Sequence, residues 1–295
     1  MLDRRPSPVW CVPAACVIAA TAIMALGWSY IRHGDPMTNA FSVRHLKSLR
    51  ELTPQTPDSV TVVTLGSSGL KCAILEPDKF TASAATHGIP QARLVRLLYP
   101  SGVDVLQEDL ITNLAMKHPT VLLVQDNALC YTSGRPSLEN FRDRVRHRVN
   151  TILGRQNEKH SPEHLADDFF STPTDTYKVV DNQDIVQERN YRMSTFAPTL
   201  RADVLRAMEA CRRAGSHVFI ISVPVHPRWD VAFSEHREAS EARIRHVVDN
   251  GLAEPLICPL PFSGDDFLDL AHMSTKASER FTNWLLAELQ RRIGQ

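Results

Sequence analysis

Two short stretches of this chain have the residue types and spacing for acyl chemistry. Gly66-Ser67-Ser68-Gly69 puts two hydroxyls in a tight turn of small residues, and Asp269-Leu270-Ala271-His272 puts a carboxylate three residues ahead of an imidazole. A serine hydroxyl is a poor nucleophile until a base takes its proton. Histidine is the usual base because its pKa lies near neutrality, and a neighbouring carboxylate can hold the ring in the working tautomer. Ser68 is then the candidate nucleophile, His272 the base and Asp269 its orienting acid. The bland readings are a plain turn at 66–69 and a helix cap at 269–272. A turn that directly follows a strong strand favours the chemical reading. His226, in Pro224-Val225-His226-Pro227, reads as loop decoration, and Arg142, Arg144, Arg146 and Arg148 read as a solvated helix face. Glu235-His236 and His45 stand alone. No cluster has zinc spacing and no Gly-rich phosphate loop is present, so neither a metal nor another cofactor is expected.

The flanking elements must bring these stretches together. Val60, Val62, Val63 and Leu65 form a β-branched apolar run without charge, as expected of a buried parallel strand. It ends at Gly66, and 70–75 can start a helix. Such a turn aims at the carboxyl edge of the sheet, where open α/β folds put their ligands. Further strands are expected within 78–88, ending at Gly88, and at 121–124, 217–223 and 255–260. Helices are expected at 39–52 (apolar side Phe41, Val43, Leu46 and Leu49), 90–99, 106–118, 200–215, 233–250 and 274–293. Strands alternating with helices predict a doubly wound parallel sheet with helices on both faces. The polar, proline-containing stretch 137–197 reads as an insertion near the site, a lid or a substrate platform.

The 295 residues suffice for one large domain or two small ones. Basic and acidic residues balance at 33 each, which argues against a nucleic-acid partner. Six cysteines show no C-x-x-C spacing and read as buried free thiols; one disulfide among the later four would suit an extracytoplasmic domain. Residues 9–31 carry no charge and match the roughly 20 apolar residues that span a bilayer as helix. An uncleaved transmembrane anchor is expected there in preference to a cleaved signal peptide. Residues 1–8 would form a cytoplasmic tail, 32–58 a membrane-proximal stalk, and 59–295 the extracytoplasmic domain.

Taken in order, Gly66-Ser67-Ser68, Gly88, Asn127 after the strand Thr120-Val121-Leu122-Leu123-Val124-Gln125-Asp126, and Asp269-x-x-His272 resemble the four sequence blocks of the SGNH (GDSL-like) hydrolase superfamily. The likeness runs from Val60 to the C-terminus, apart from the insertion. The anchor and Gly-Ser-Ser in place of Gly-Asp-Ser look most like the membrane-tethered acyltransferase-like branch. Alginate O-acetylation proteins and the D-alanyl transfer protein of teichoic-acid modification belong to that branch. The resemblance implies a three-layer α/β/α, flavodoxin-like fold and a Ser68, His272, Asp269 triad. It also implies an oxyanion hole made by the Ser68 and Gly88 N–H groups and the Asn127 side chain. Its expected partners are a surface-polysaccharide acceptor and a membrane-bound acyl-donor protein. Two departures stand out: Ser67 replaces the usual Asp, and Gln125-Asp126-Asn127-Ala128 replaces Gly-x-Asn-Asp. The two functions in view are therefore a periplasmic O-acyl, chiefly O-acetyl, transferase or esterase, and a non-enzymatic envelope component that binds a glycan or an assembly partner.

Overall fold

The computed structural model describes residues 12–13, 15–22, 36–52, 59–89, 91–99, 106–131, 169–170, 185–186, 189–190, 196 and 199–293. The chain divides into two compact units, Met1–Ala40 with Pro136–Ala166, and Phe41–Arg135 with Asp167–Gln295. In the first unit, residues 12–13 and 15–22 are helical, with Val12, Val17 and Ile18 exposed. Among the described residues no helix is long and apolar enough to cross a membrane. Much of the expected anchor at 9–31, the tail at 1–8 and most of the expected insertion at 137–197 lie outside the described residues.

The second unit is built on a five-stranded, all-parallel sheet. Its strands are β1 (Thr61–Ser67), β2 (Arg93–Tyr99), β3 (Val121–Gln125), β4 (His217–Ile221) and β5 (Glu254–Leu256), in the order β2-β1-β3-β4-β5. The helices are α1 (Pro36–Arg50, whose first residues fall in the other unit), α2 (Ser68–Ala73), α3 (Pro77–Thr86), α4 (Glu108–Met116), α5 (Asp126–Cys130), α6 (Ala202–Arg213), α7 (Pro227–Ala232), α8 (Ser234–Asp249) and α9 (Thr275–Ile293). Every residue of β1 and β3 is buried, which is why their sequences are continuous apolar runs and not alternating ones. Val62, Leu94, Leu123 and Phe219 pack with Leu70, Phe80, Phe281 and Leu285 from α2, α3 and α9. Val63, Leu65, Leu122 and Val124 point to the opposite face and are equally buried. The chain leaves β1 toward β2 on one side and returns to β3 on the other. Order reverses between β1 and β3, so the crevice outside their carboxyl ends is the expected ligand position.

Three expectations are corrected. Within 90–99, Arg93–Tyr99 form strand β2, not a helix: Leu94 to Tyr99 are all buried, and a short run covered on both sides lacks the alternation that would mark it. None of 78–88 is strand, and most of it lies in helix α3 (Pro77–Thr86). Pro77 starts it with its φ already suitable, Asp78 sits in the first turn, and Phe80 and Ala84 fall one turn apart on the buried side. In α1 the buried side is Phe41, Ser42, His45, Leu46 and Leu49, while Val43 is 66% exposed. At 100° per residue Val43 lies across the helix from Phe41.

The described cysteines are free thiols: Cys72, Cys130 and Cys211 are buried, Cys258 is half-buried and Cys16 is exposed. Burial pushes the thiols of Cys130 and Cys211 up to about 11 and about 12, so neither is a ready nucleophile at neutral pH.

Candidate functional site

The turn after β1 distinguishes its two serines. Ser67 is the last residue of the strand and the N-cap of α2, and its Oγ accepts from the Gly69 N–H at 3.3 Å. Its own hydroxyl proton goes to Gln125 Oε1 at 3.0 Å, and its backbone N–H goes to the same oxygen at 2.8 Å. Ser67 is 7% exposed and its hydroxyl is committed. Ser68 is half-exposed, and its hydroxyl makes no hydrogen bond among the described residues. It is the serine that remains open to chemistry.

Gln125 ties β3 to this turn. Leu65 pairs with Val124, so Gly66 and Gln125 leave the two strands side by side. A Cβ on Gly66 would stand 2.6 Å from Gln125 Oε1 and 2.9 Å from Leu70 Cδ2, closer than atoms can approach. Gly66 is therefore what lets the glutamine lie across the strand end.

The Asp-x-x-His stretch is a self-bonded loop between β5 and α9. Phe267 bridges Met273 antiparallel, and the Leu268 N–H donates to His272 O at 2.8 Å. Asp269 Oδ1 accepts from the N–H groups of Ala271 (2.8 Å) and His272 (2.9 Å), while Oδ2 takes His272 Nδ1 at 2.7 Å. An ionised carboxylate only accepts, so Nδ1 carries the proton and Nε2 is left with a lone pair. Burial pushes the Asp269 carboxyl up, but the bonds and charge from the His272 ring and the two backbone N–H groups outweigh it and hold it below its ordinary range. Asp269 does not cap α9: the Ala277 N–H donates to Ser274 Oγ instead.

The turn and the loop meet. A Cβ placed on Gly69 would lie 3.5 Å from Ala271 O, which puts the residue after Ser68 against the residue before His272. The His272 side chain is 27% exposed, so neither hydroxyl nor ring is entombed. No hydrogen bond links Ser68 Oγ to the ring among the described residues. Such contacts commonly tighten only when a substrate is bound.

The oxyanion residues named above fare differently. Gly88 follows α3 at the amino end of β2, with φ +76° and Gln290 beside it. Arg93 pairs with Thr61 and Tyr99 with Ser67, so Gly88 lies at the edge away from Ser68 and is not brought to the site. Asn127 sits in the first turn of α5, next to the right edge, with its N–H on Asp126 Oδ1. It lines a cavity of about 510 Å³ beyond the ends of β3 to β5, with Val223, Trp229, Phe233, Arg237 and Phe262. Neither Ser68 nor His272 lines that cavity.

Sequence reasoning missed two residues. Gln125 registered only as a departure from a motif. His226 is not loop decoration: its N–H donates to Leu270 O at 3.1 Å, and its Nδ1 accepts from the Arg228 N–H at 3.2 Å as the N-cap of α7. Burial, then Arg228, lowers its pKa, which keeps Nδ1 available as acceptor. His226 thereby straps the Asp-x-x-His loop to the end of β4. The available signal was its position directly before a proline that could start a helix. Comparison of the chain with protein-family models, with curated proteins and with solved structures found no match.

Proposed function

We propose that this protein is a serine-dependent acyltransferase or esterase of the SGNH kind, with the three-layer arrangement that goes with it. It acts on O-acyl groups, chiefly O-acetyl, of a surface polysaccharide from an extracytoplasmic position, anchored through residues 9–31. The observation that carries the reading is the Asp269–His272 pair at 2.7 Å, facing the Ser68 turn at the β1/β3 switch point. Ser68 Oγ attacks the acyl carbonyl as His272 Nε2 takes its proton, and the proton then passes to the departing alcohol. A second sugar hydroxyl or water, deprotonated by the same nitrogen, releases the acyl group. Asp269 stabilises the imidazolium that forms in each half-reaction. Purified wild-type protein is expected to release the chromophore from an activated acetyl ester, and Ser68→Ala and His272→Ala are each expected to abolish this with the fold intact. Full activity in both variants sinks the reading.

A non-enzymatic envelope component is favoured by one observation, the missing hydrogen bond between Ser68 and His272. A fluorophosphonate probe decides between the two. Labelling at Ser68 that is lost in His272→Ala supports the enzyme; an unlabelled wild-type protein supports the binding role.

A further inference from the structure

We propose that the side-chain amide of Gln125 is the donor that stabilises negative charge on the acyl oxygen at Ser68, the role expected of Asn127 from the sequence. The inference rests on the serine-nucleophile reading above. Its starting point is the orientation of the amide. A backbone N–H can only donate, so the atom facing Ser67 N at 2.8 Å must be the carbonyl oxygen. The same oxygen takes the Ser67 hydroxyl proton. The NH2 end is thereby turned the other way, toward Gly69. There Nε2 stands 3.5 Å from the point a Gly69 Cβ would occupy, and Ala271 O is 3.5 Å from that same point.

Gln125 is 2% exposed, and its Nε2 makes no hydrogen bond among the described residues. That nitrogen is not one of the fully buried, unpartnered polar atoms among the described residues, so it keeps some contact with solvent and is free to donate to an incoming group. An acyl oxygen arriving between the Ser68 turn and the His272 loop offers it an acceptor. As Ser68 Oγ bonds to the acyl carbon, the carbonyl π electrons move onto oxygen and the proton moves to His272 Nε2. The Gln125 N–H then meets a full negative charge. When the C–O bond to the leaving alcohol breaks, the carbonyl reforms and His272 returns its proton to that alcohol. A donor already held in place strengthens its bond as charge develops, which lowers the barrier without tightening ground-state binding. Gly69 contributes by having no side chain to fill the space.

The test compares wild-type full-length protein with Gln125→Glu and Gln125→Met on an activated acetyl ester, measuring kcat, KM and Tm. Gln125→Glu keeps the shape and both bonds from Ser67 but has no N–H to offer; Gln125→Met keeps the length and removes every polar atom. The expected result is a fall in kcat of about 10²–10³-fold in Gln125→Glu, with KM and Tm close to wild type. Unchanged kcat in a folded Gln125→Glu overturns the proposal. So does a kcat loss that only accompanies a lowered Tm, or a failure of both variants to fold, since either assigns Gln125 to the fold alone. Inactivity of the wild-type protein itself removes the underlying serine reading, and this inference with it.

Discussion

At the scale of single residues, the site turns on where protons sit. The Asp269 carboxylate fixes the proton of His272 on Nδ1, and Nε2 is basic as a result. In Asp269→Asn the amide oxygen can still take the N–H groups of Ala271 and His272, but its NH2 faces Nδ1 and demands an acceptor. The ring must then protonate Nε2, the wrong tautomer for a base. We expect kcat to fall by about 10³–10⁴-fold with little change in Tm. Imidazole nitrogen NMR shifts should report the tautomer change. Turnover within tenfold of wild type would refute it. The two serines make the same point: Ser67 is buried, caps α2 and gives its hydroxyl proton to Gln125, and those contacts leave Ser68 as the free hydroxyl.

At the scale of elements, the helix that follows the Ser67-Ser68 turn is held at its far end by a buried cation. Arg96 of β2 donates to Ile74 O at 2.7 Å, Leu75 O at 2.6 Å and Glu76 Oε2 at 2.8 Å. These carbonyls follow the last turn of α2, where a helix leaves acceptors unpaired. One guanidinium thus ties the strand to the end of the helix that begins at Ser68. Glu76 is mostly exposed, so losing the arginine strands no buried charge; what it strands is two carbonyls. Arg96→Met is therefore expected to cost about 1–3 kcal/mol, read as a lower urea midpoint. A midpoint equal to wild type would show the tie to be idle. Lys71, one turn into α2, donates to Phe169 O and lies over the Phe169 ring. Described residues from within the expected insertion therefore contact the helix that starts at Ser68.

At the scale of the whole molecule, α1 contributes a buried, protonatable group. His45 is fully buried against Tyr99, Phe41 and Phe170. Burial lowers its pKa from 6.5 to about 3, the Leu98 backbone offsets part of this, and Arg44 adds to the lowering. Folded, the ring stays neutral until about pH 3; unfolded, it takes its proton near pH 6.5. Between those values the unfolded chain binds more protons. The associated stability is complete above pH 6.5 and is lost as pH falls toward 3. His45→Leu removes the penalty, so its unfolding free energy should fall less between pH 7 and pH 4 than that of wild type, by urea titration. Parallel acid limbs for the two proteins would show that another group governs acid loss.

Much of this was legible in the chain, and the misreadings have definite causes. The strands at β1, β3 and β4 and the helix α9 were readable because a long apolar stripe or a charge-free β-branched run has one low-energy outcome. The Ser68, Asp269 and His272 types were readable because their chemistry is local to the side chains. Segments 78–88 and 90–99 were misassigned because short apolar runs satisfy both periods, and only burial on two faces separates them. Gly88 failed as a site residue for that same reason: once 90–99 became the strand, Gly88 moved to its amino end.

By itself the sequence determined the α/β class, the turn that follows β1 and the internal pairing of Asp269 with His272, because each depends on neighbours along the chain. Only the tertiary structure decided that this turn and that loop meet, that Ser67 is a cap, that Gln125 bonds Ser67 and that His226 bonds the Asp-x-x-His loop. Those outcomes depend on strand order and on contacts between residues far apart in sequence, which side-chain types and local spacing do not encode.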